Sequence, residues 1–203
     1  MKAEGTRSAI LGTALELGSL QGLEELSLGG LASAVNMSKS GLFAHFGSKH
    51  ELQLATVAQA WEIFEAEVVL EPPHSAPGGL GVLLERWLSF YERKVFPGGC
   101  FFVISAVEFA SRADAVAKAL ASAVDRQTTA LEAAVRTANK SGELRTRKEP
   151  RQTSFALFST LTNADALFQV REDPVVFDHA RATILELLGQ HDALAGQPPL
   201  DPP

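Results

Sequence analysis

The residues best suited to chemistry lie close together. Ser38, Lys39, Ser40, Gly41, Phe43 and His45 fall within eight positions. They supply hydroxyl donors, one ammonium, one imidazole and a glycine that lets backbone come close to a surface. Such groups suit contact with an anionic backbone or a polar base edge, not the making or breaking of bonds. No convergent acid, base and nucleophile accompany them, so no catalytic constellation is expected. The five histidines (His45, His50, His74, His179 and His191) show no i, i+4 pairing, and Cys100 is the sole cysteine. Neither a metal nor a cofactor is therefore expected.

The elements that position this set are helical. Residues 27–46 read Ser-Leu-Gly-Gly-Leu-Ala-Ser-Ala-Val-Asn-Met-Ser-Lys-Ser-Gly-Leu-Phe-Ala-His-Phe. Two helices of two or three turns, each introduced by a serine cap, are separated by three or four residues. That is the layout of a helix-turn-helix. Ala32 is small enough for the helix crossing, and Asn36 tolerates the left-handed backbone of the turn. Leu31, Val35, Met37 and Leu42 are spaced to hold the pair on a preceding helix at about Thr6–Leu20. A helix of about 48–70 follows, and Ser48-Lys-His-Glu51 predicts a capping box at its start. A cation at Lys49 and free N–H groups there could jointly hold a phosphate. Read from the pattern alone, an ordinary helical hairpin fits residues 27–46 as well as a DNA-binding one.

Beyond the breaker-rich run Glu71–Gly79, five further helices are expected at about 79–95, 99–111, 113–140, 150–172 and 174–189. Strand-like alternation is missing. The expected fold class is all-α, with about nine helices: an N-terminal three-helix module carrying the helix-turn-helix, and a larger helical domain. The division is 1–50, 51–191 and a proline-rich tail, 192–203, read as disordered.

The run Gly41-Leu-Phe-Ala-His-Phe-Gly-Ser-Lys-His-Glu-Leu52 resembles the signature of TetR-family (TetR/AcrR) transcriptional repressors, an aromatic-x-His-Phe followed by x-Ser-Lys-x-x-Leu. Arg7, Ile10-Leu11, Ala14, Ser27 and Leu31-Ala32 are placed as in that family, and a later Pro-Gly-Gly-Cys-Phe-Phe…Glu-Phe-Ala-Ser-Arg stretch is similar to one seen in many members. The resemblance implies a homodimer that binds a palindromic double-stranded DNA operator and is released by a small-molecule effector. It makes Ser27, Ser38, Lys39, Ser40, Gly41, Phe43, His45 and Lys49 candidate DNA contacts. The family usually has tyrosine at the position of Phe43, whose hydroxyl commonly touches phosphate, and glycine at that of Asn36. Gly29 and Gly30 stand inside a helix where the family often has charged residues, each costing about 1 kcal/mol against alanine.

For the larger domain, the resemblance implies a largely apolar effector cavity. Its candidate residues are Trp87, Phe90, Phe101, Phe102, Ser105, Glu108, Phe109, Phe158 and Asn163, with Arg112, Thr160 and Asp165 as further polar groups. Those aromatics read equally as ordinary core. The last two helices carry an apolar and small-residue face (Leu157, Thr160, Leu161, Ala164, Leu167, Phe168, then Ile184, Leu185, Leu188) that in the family forms a four-helix dimer interface. Cys100, after two glycines at a helix start, could act as a redox or electrophile sensor or serve as buried filler. Arg145, Arg147, Lys148 and Arg151 form a basic cluster that reads as a solvated loop. A non-DNA-binding helical small-molecule binding protein or enzyme is the alternative reading.

Composition bears on these readings. With 46% hydrophobic residues the 203-residue chain can bury a core, yet no apolar stretch reaches the length of a membrane span. The N-terminus lacks the apolar run of a signal peptide, and a lone cysteine suits a reducing cytoplasm. The net charge of -6 argues mildly against a polyanion partner, but it is unevenly spread. Residues 1–50 balance Lys2, Arg7, Lys39 and Lys49 against Glu4, Glu16, Glu24 and Glu25, so the excess negative charge lies after the proposed contact module.

Overall fold

The computed structural model describes residues 2–69, 78–144 and 148–189. Among them are nine α-helices and no strand: α1 Lys2–Gln21, α2 Leu28–Ala34, α3 Lys39–His45, α4 Lys49–Phe64, α5 Gly79–Glu92, α6 Phe101–Glu108, α7 Ala115–Ser141, α8 Pro150–Arg171 and α9 Val175–Leu187. The linker at 70–77, Arg145, Arg147 and the tail 192–203 lie outside the described residues.

Serine caps start the short helices. Ser27, Ser38 and Ser48 hydroxyls accept from the backbone N–H of Gly30, Gly41 and Glu51 at 3.1, 3.0 and 3.0 Å. The expected capping box is shifted by one residue: the Glu51 carboxylate accepts from Gly47 N at 3.0 Å, not from the cap residue itself. At the other end of α4, the expected α-helix to residue 70 gives way to a π-helical turn over Glu65–Val69. Helix α6 is shorter than 99–111, because the chain turns at Phe109 and the Arg112 N–H closes back on the Phe109 carbonyl at 2.9 Å.

Helices α1 and α4 pack together and carry α2 and α3, while α7 lies against α4, α5, α6 and α8, and α9 against α8. The core centres on Phe64, whose ring meets Trp87, Phe90 and Phe102 at centroid distances of 5.0, 5.5 and 5.8 Å, all near edge-to-face. Such pairs add about 0.5–1.5 kcal/mol beyond the apolar area they bury. Two glycines let α1 approach the start of α6. Gly18 faces the Phe101 ring, and Gly98 N donates to the Ser19 hydroxyl at 3.3 Å.

Candidate nucleic-acid interface

The turn between α2 and α3 is built as the residue types require. Asn36 adopts φ 53°, and Met37 N donates to the Ala32 carbonyl at 2.9 Å, closing α2. Leu31, Ala32 and Leu42 are buried, and α2 packs against α1 and α3. Gly29 has a definite use here: a Cβ on it would come within 3.2 Å of Lys39 Cε, so its absence lets the lysine stem lie across α2.

On the outer surface Ser27, Ser38, Lys39, Ser40, Phe43 and Lys49 are exposed, and Gly41 and His45 are half-buried. Phe43 is 56% exposed. The Ser38 and Ser40 hydroxyls are 3.1 Å apart. Ser27 and Ser38 each use an acceptor lone pair for capping, and one hydroxyl proton of the Ser38–Ser40 pair is spent between them, leaving the other for an outside acceptor. His45 packs its ring 6.3 Å from Phe46, and the Arg7 guanidinium stands 5.0 Å over the other aromatic of that pair, Phe46.

Lys49 is not a free cation. Its Nζ donates to the Glu24 backbone carbonyl and lies 3.5 Å from Glu24 Oε1. Glu24 in turn holds Arg112 through Oε2 at 2.6 Å, and the Gln53 amide at 3.5 Å. Partial burial pushes the Glu24 carboxyl up, but the Arg112 hydrogen bond, the Lys49 and Arg112 charges and Gln53 together hold it below its usual range. Arg112 is itself raised by its bond to Glu24, against some burial, and by Asp114, which its Nε meets at 3.0 Å. Asp114 caps α7 through Ala117 N at 2.9 Å; that bond and Arg112 keep its carboxyl low against a small opposing effect of burial.

The loop after α1 is thereby clasped to α6. Glu108 accepts from Leu23 N at 2.9 Å and from Glu24 N at 3.0 Å, while the buried Gln53 amide donates to the Leu23 carbonyl at 2.9 Å. Gly22, at φ 98°, is required twice over, since a Cβ there would also meet Glu108 Oε1 at 2.7 Å. Glu24, Gln53 and Asp114 went unmarked in the sequence. Their partners lie up to 88 residues away, and polar side chains carry no periodic signal of such pairing.

Of the nine candidate effector residues, the structure pairs the Trp87 ring with Phe158 and the Phe101 ring with Phe102. Trp87, Phe90, Phe101, Phe102 and Phe109 are each at most 1% exposed and pack as core. Ser105 is buried on α6, and half-buried Phe158 reaches Trp87 at 5.9 Å. The Glu108 carboxylate is engaged in the two backbone bonds of the clasp. Asn163 lines an outer groove of about 550 Å³ between α8 and α9, with Thr160, Leu167, Arg171, His179 and Thr183. Phe155 and Val170, on α8, are 72% and 82% exposed. A polar group that had no sequence signal sits inside α7: Gln127 is fully buried, and neither amide atom has a hydrogen-bond partner among the described residues.

Cys100 is buried, and its thiol is pushed up to about 11, chiefly by burial and further by the Asp165 charge, with the Tyr91 hydrogen bond opposing. A thiol so protonated is a poor electrophile sensor. Among the described residues, no group of three or more His, Cys, Asp or Glu could hold a metal, and no helix is long and apolar enough to cross a membrane.

Two family models match the chain. One, described as bacterial regulatory proteins of the tetR family, covers residues 10–56; the other, the tetracyclin repressor-like C-terminal domain, covers residues 78–184. The HTH-type transcriptional regulator AcrR of Shigella flexneri is 35% identical over 98 residues, a stretch spanning 46% of this chain and 44% of that regulator. A TetR transcriptional regulator from Chloroflexus aurantiacus superposes with a TM-score of 0.79 at 21% identity, covering 93% of this chain and 96% of that one. AibR, solved in complex with isovaleryl coenzyme A and operator DNA, superposes with a TM-score of 0.68 at 21% identity over 90% of this chain and 98% of its own.

Proposed function

From a chain that belongs to the TetR family of DNA-binding transcriptional regulators, we propose a ligand-responsive repressor that binds a palindromic operator as a homodimer and leaves it when a small, largely apolar effector binds. The observation that carries this reading is the α2–α3 pair, whose outer face presents Lys39, Ser40 and Phe43 while Ala32 and Leu42 are buried beneath it. Residues 1–50 form the recognition module and residues 51–191 the effector and dimerisation domain, and the protein works in the cytoplasm. Ser27, Ser38, Lys39, Ser40, Gly41, Phe43 and His45 contact the operator, with Lys49 on a phosphate. A second copy covers the α8–α9 groove, which the exposure of Phe155 and Val170 supports.

The effector enters the larger domain near the Gln127 amide, which has no hydrogen-bond partner among the described residues and which a neutral carbonyl or hydroxyl would satisfy. Binding there favours a state in which the recognition helices no longer match successive major grooves, so the effector shifts the population away from DNA. AibR, crystallised with both an acyl coenzyme A and operator DNA, supports pairing of the two ligand types on this fold. The test is selection of bound fragments from the source genome, followed by titration of the tightest fragment against salt. A linear fall of log K with log salt is expected; a slope near zero would sink the DNA-binding assignment of these residues.

A further inference from the structure

We propose that Glu24 is a charge gate: Arg112, brought by the α6–α7 turn, occupies its carboxylate and so leaves Lys49 able to hold a phosphate, whereas withdrawal of Arg112 turns Glu24 onto Lys49 and silences it. The inference rests on the DNA-binding reading of Lys49 and adds to it a route by which the larger domain changes DNA affinity.

Three observations carry it. First, the two carboxylate oxygens of Glu24 are divided, with Oε2 at 2.6 Å from Arg112 and Oε1 at 3.5 Å from Lys49. The closer partner belongs to the larger domain and the looser one to the recognition module. Second, Lys49 is tethered to the Glu24 backbone carbonyl, so its ammonium stays at the carboxylate whether or not the ion pair tightens. With the Glu24 charge shared with Arg112, less of the Lys49 charge is neutralised, and more of it remains to attract a phosphate. Third, Arg112 is held from its own side by Asp114 at 3.0 Å and lies 4.5 Å over the Phe109 ring, so it travels with the α6–α7 turn. Glu108, one turn earlier, grips the same loop through Leu23 N and Glu24 N. A change confined to the α6–α7 turn therefore moves Arg112 relative to a loop that Glu108 keeps on α6. The pairs are partly exposed, with Lys49 and Glu24 side chains 43% and 40% accessible, so each is worth little as stability and can exchange readily.

The experiment uses the full chain and four forms: wild type, Arg112→Gln, Glu24→Gln and the double variant. Each is titrated against the duplex selected by the wild type, at several salt concentrations. Arg112→Gln is expected to weaken binding about threefold per half-site, hence about tenfold for a dimer. It should also lower the salt slope by about one per subunit. In the Glu24→Gln background, Arg112→Gln should change neither quantity. Equal loss in both backgrounds would overturn the gate and make Arg112 a structural brace; no loss in either would overturn it as well. A readout without DNA separates this from failure of the DNA-binding reading: reductive methylation of Lys49, followed by mass spectrometry, should be slower in Arg112→Gln than in wild type. Unchanged labelling refutes the competition even if no duplex binds.

Discussion

Gly98→Ala tests how the recognition module is seated on the rest of the chain. The Gly98 N–H donates to the Ser19 hydroxyl near the end of α1 at 3.3 Å. A Cβ on Gly98 would overlap the Ser19 carbonyl and stand 3.0 Å from Leu20 N. These are backbone atoms, so no rotamer change relieves the clash. Helix α1 is also held fast, because Ile10, Leu11, Ala14 and Leu15 are buried on its inner face. The turn or the end of α1 must move by about 1–2 Å, an overpacking that costs about 1–3 kcal/mol. Loss of the Ser19 hydrogen bond adds about 1 kcal/mol. A total of about 2–4 kcal/mol lowers Tm by roughly 5–15 °C for a chain of this size. Calorimetry measures it, with Gly12→Ala as the control: Gly12 is helical with nothing within 4 Å of an added Cβ. There alanine should gain up to about 1 kcal/mol. A Gly98→Ala variant melting within 1 °C of wild type would show that the close approach of α1 to this turn is wrong.

Phe43→Tyr adds a donor at a ring already 56% exposed, so stability should not change. A hydroxyl–phosphate bond of about 1 kcal/mol per half-site gives roughly thirtyfold tighter operator binding by a dimer; unchanged anisotropy titrations would remove Phe43 from the phosphate backbone. Gln127→Leu deletes a buried amide with no partner among the described residues. It should stabilise the chain by about 1–3 kcal/mol, while a fall in Tm would show that the amide is bonded. The Cys100 thiol, at about 11 in the fold against an ordinary 9.0, keeps its proton longer folded than unfolded. Stability is therefore level below pH 9 and falls between pH 9 and 11, by about 2–3 kcal/mol from this group. Burial raises Tyr91 as well, which acts in the same direction above its usual 10.0. Urea midpoints of wild type and Cys100→Ala should converge across that range, and parallel profiles would refute the assignment.

Local rules made much of the fold legible. Ser27, Ser38 and Ser48 begin helices because each offers an acceptor to an otherwise unpaired N–H, a preference that needs no tertiary context. Asn36 was readable as a turn because it tolerates the left-handed backbone it adopts, at φ 53°. The π-helical turn at Glu65–Val69 was not, since its inserted residue leaves the apolar spacing close to helical; Arg126, 3.0 Å from Glu65, ties it to α7. Nor could Glu108 be told from a cavity residue. Its role depends on the Leu23 and Glu24 N–H groups, which α1 leaves unpaired 84 and 85 positions away. The aromatics showed that a core exists but not whether it is hollow. Trp87 and Phe102 both meet Phe64, and only packing decides between ring contacts and a space left for a guest.

The ion pairs also change what the charge balance means for DNA binding. A near-neutral module of fifty residues could still present several free cations, but here they are rationed. Arg7 stands over Phe46, Lys49 is shared with Glu24, and Lys39 reaches outward across Gly29. If Lys39 and Lys49 each neutralise one phosphate, a dimer releases about four counterions and its salt slope is near -4. So small an electrostatic contribution leaves one subunit bound only weakly to any duplex. Affinity must then come from the simultaneous fit of two half-sites, where a mismatch in helix spacing loses half of the contacts at once. Scarcity of cations would thus make the geometry of the proposed dimer decisive, and it would give the proposed gated lysine of each subunit a share of the binding that a strongly basic surface would dilute.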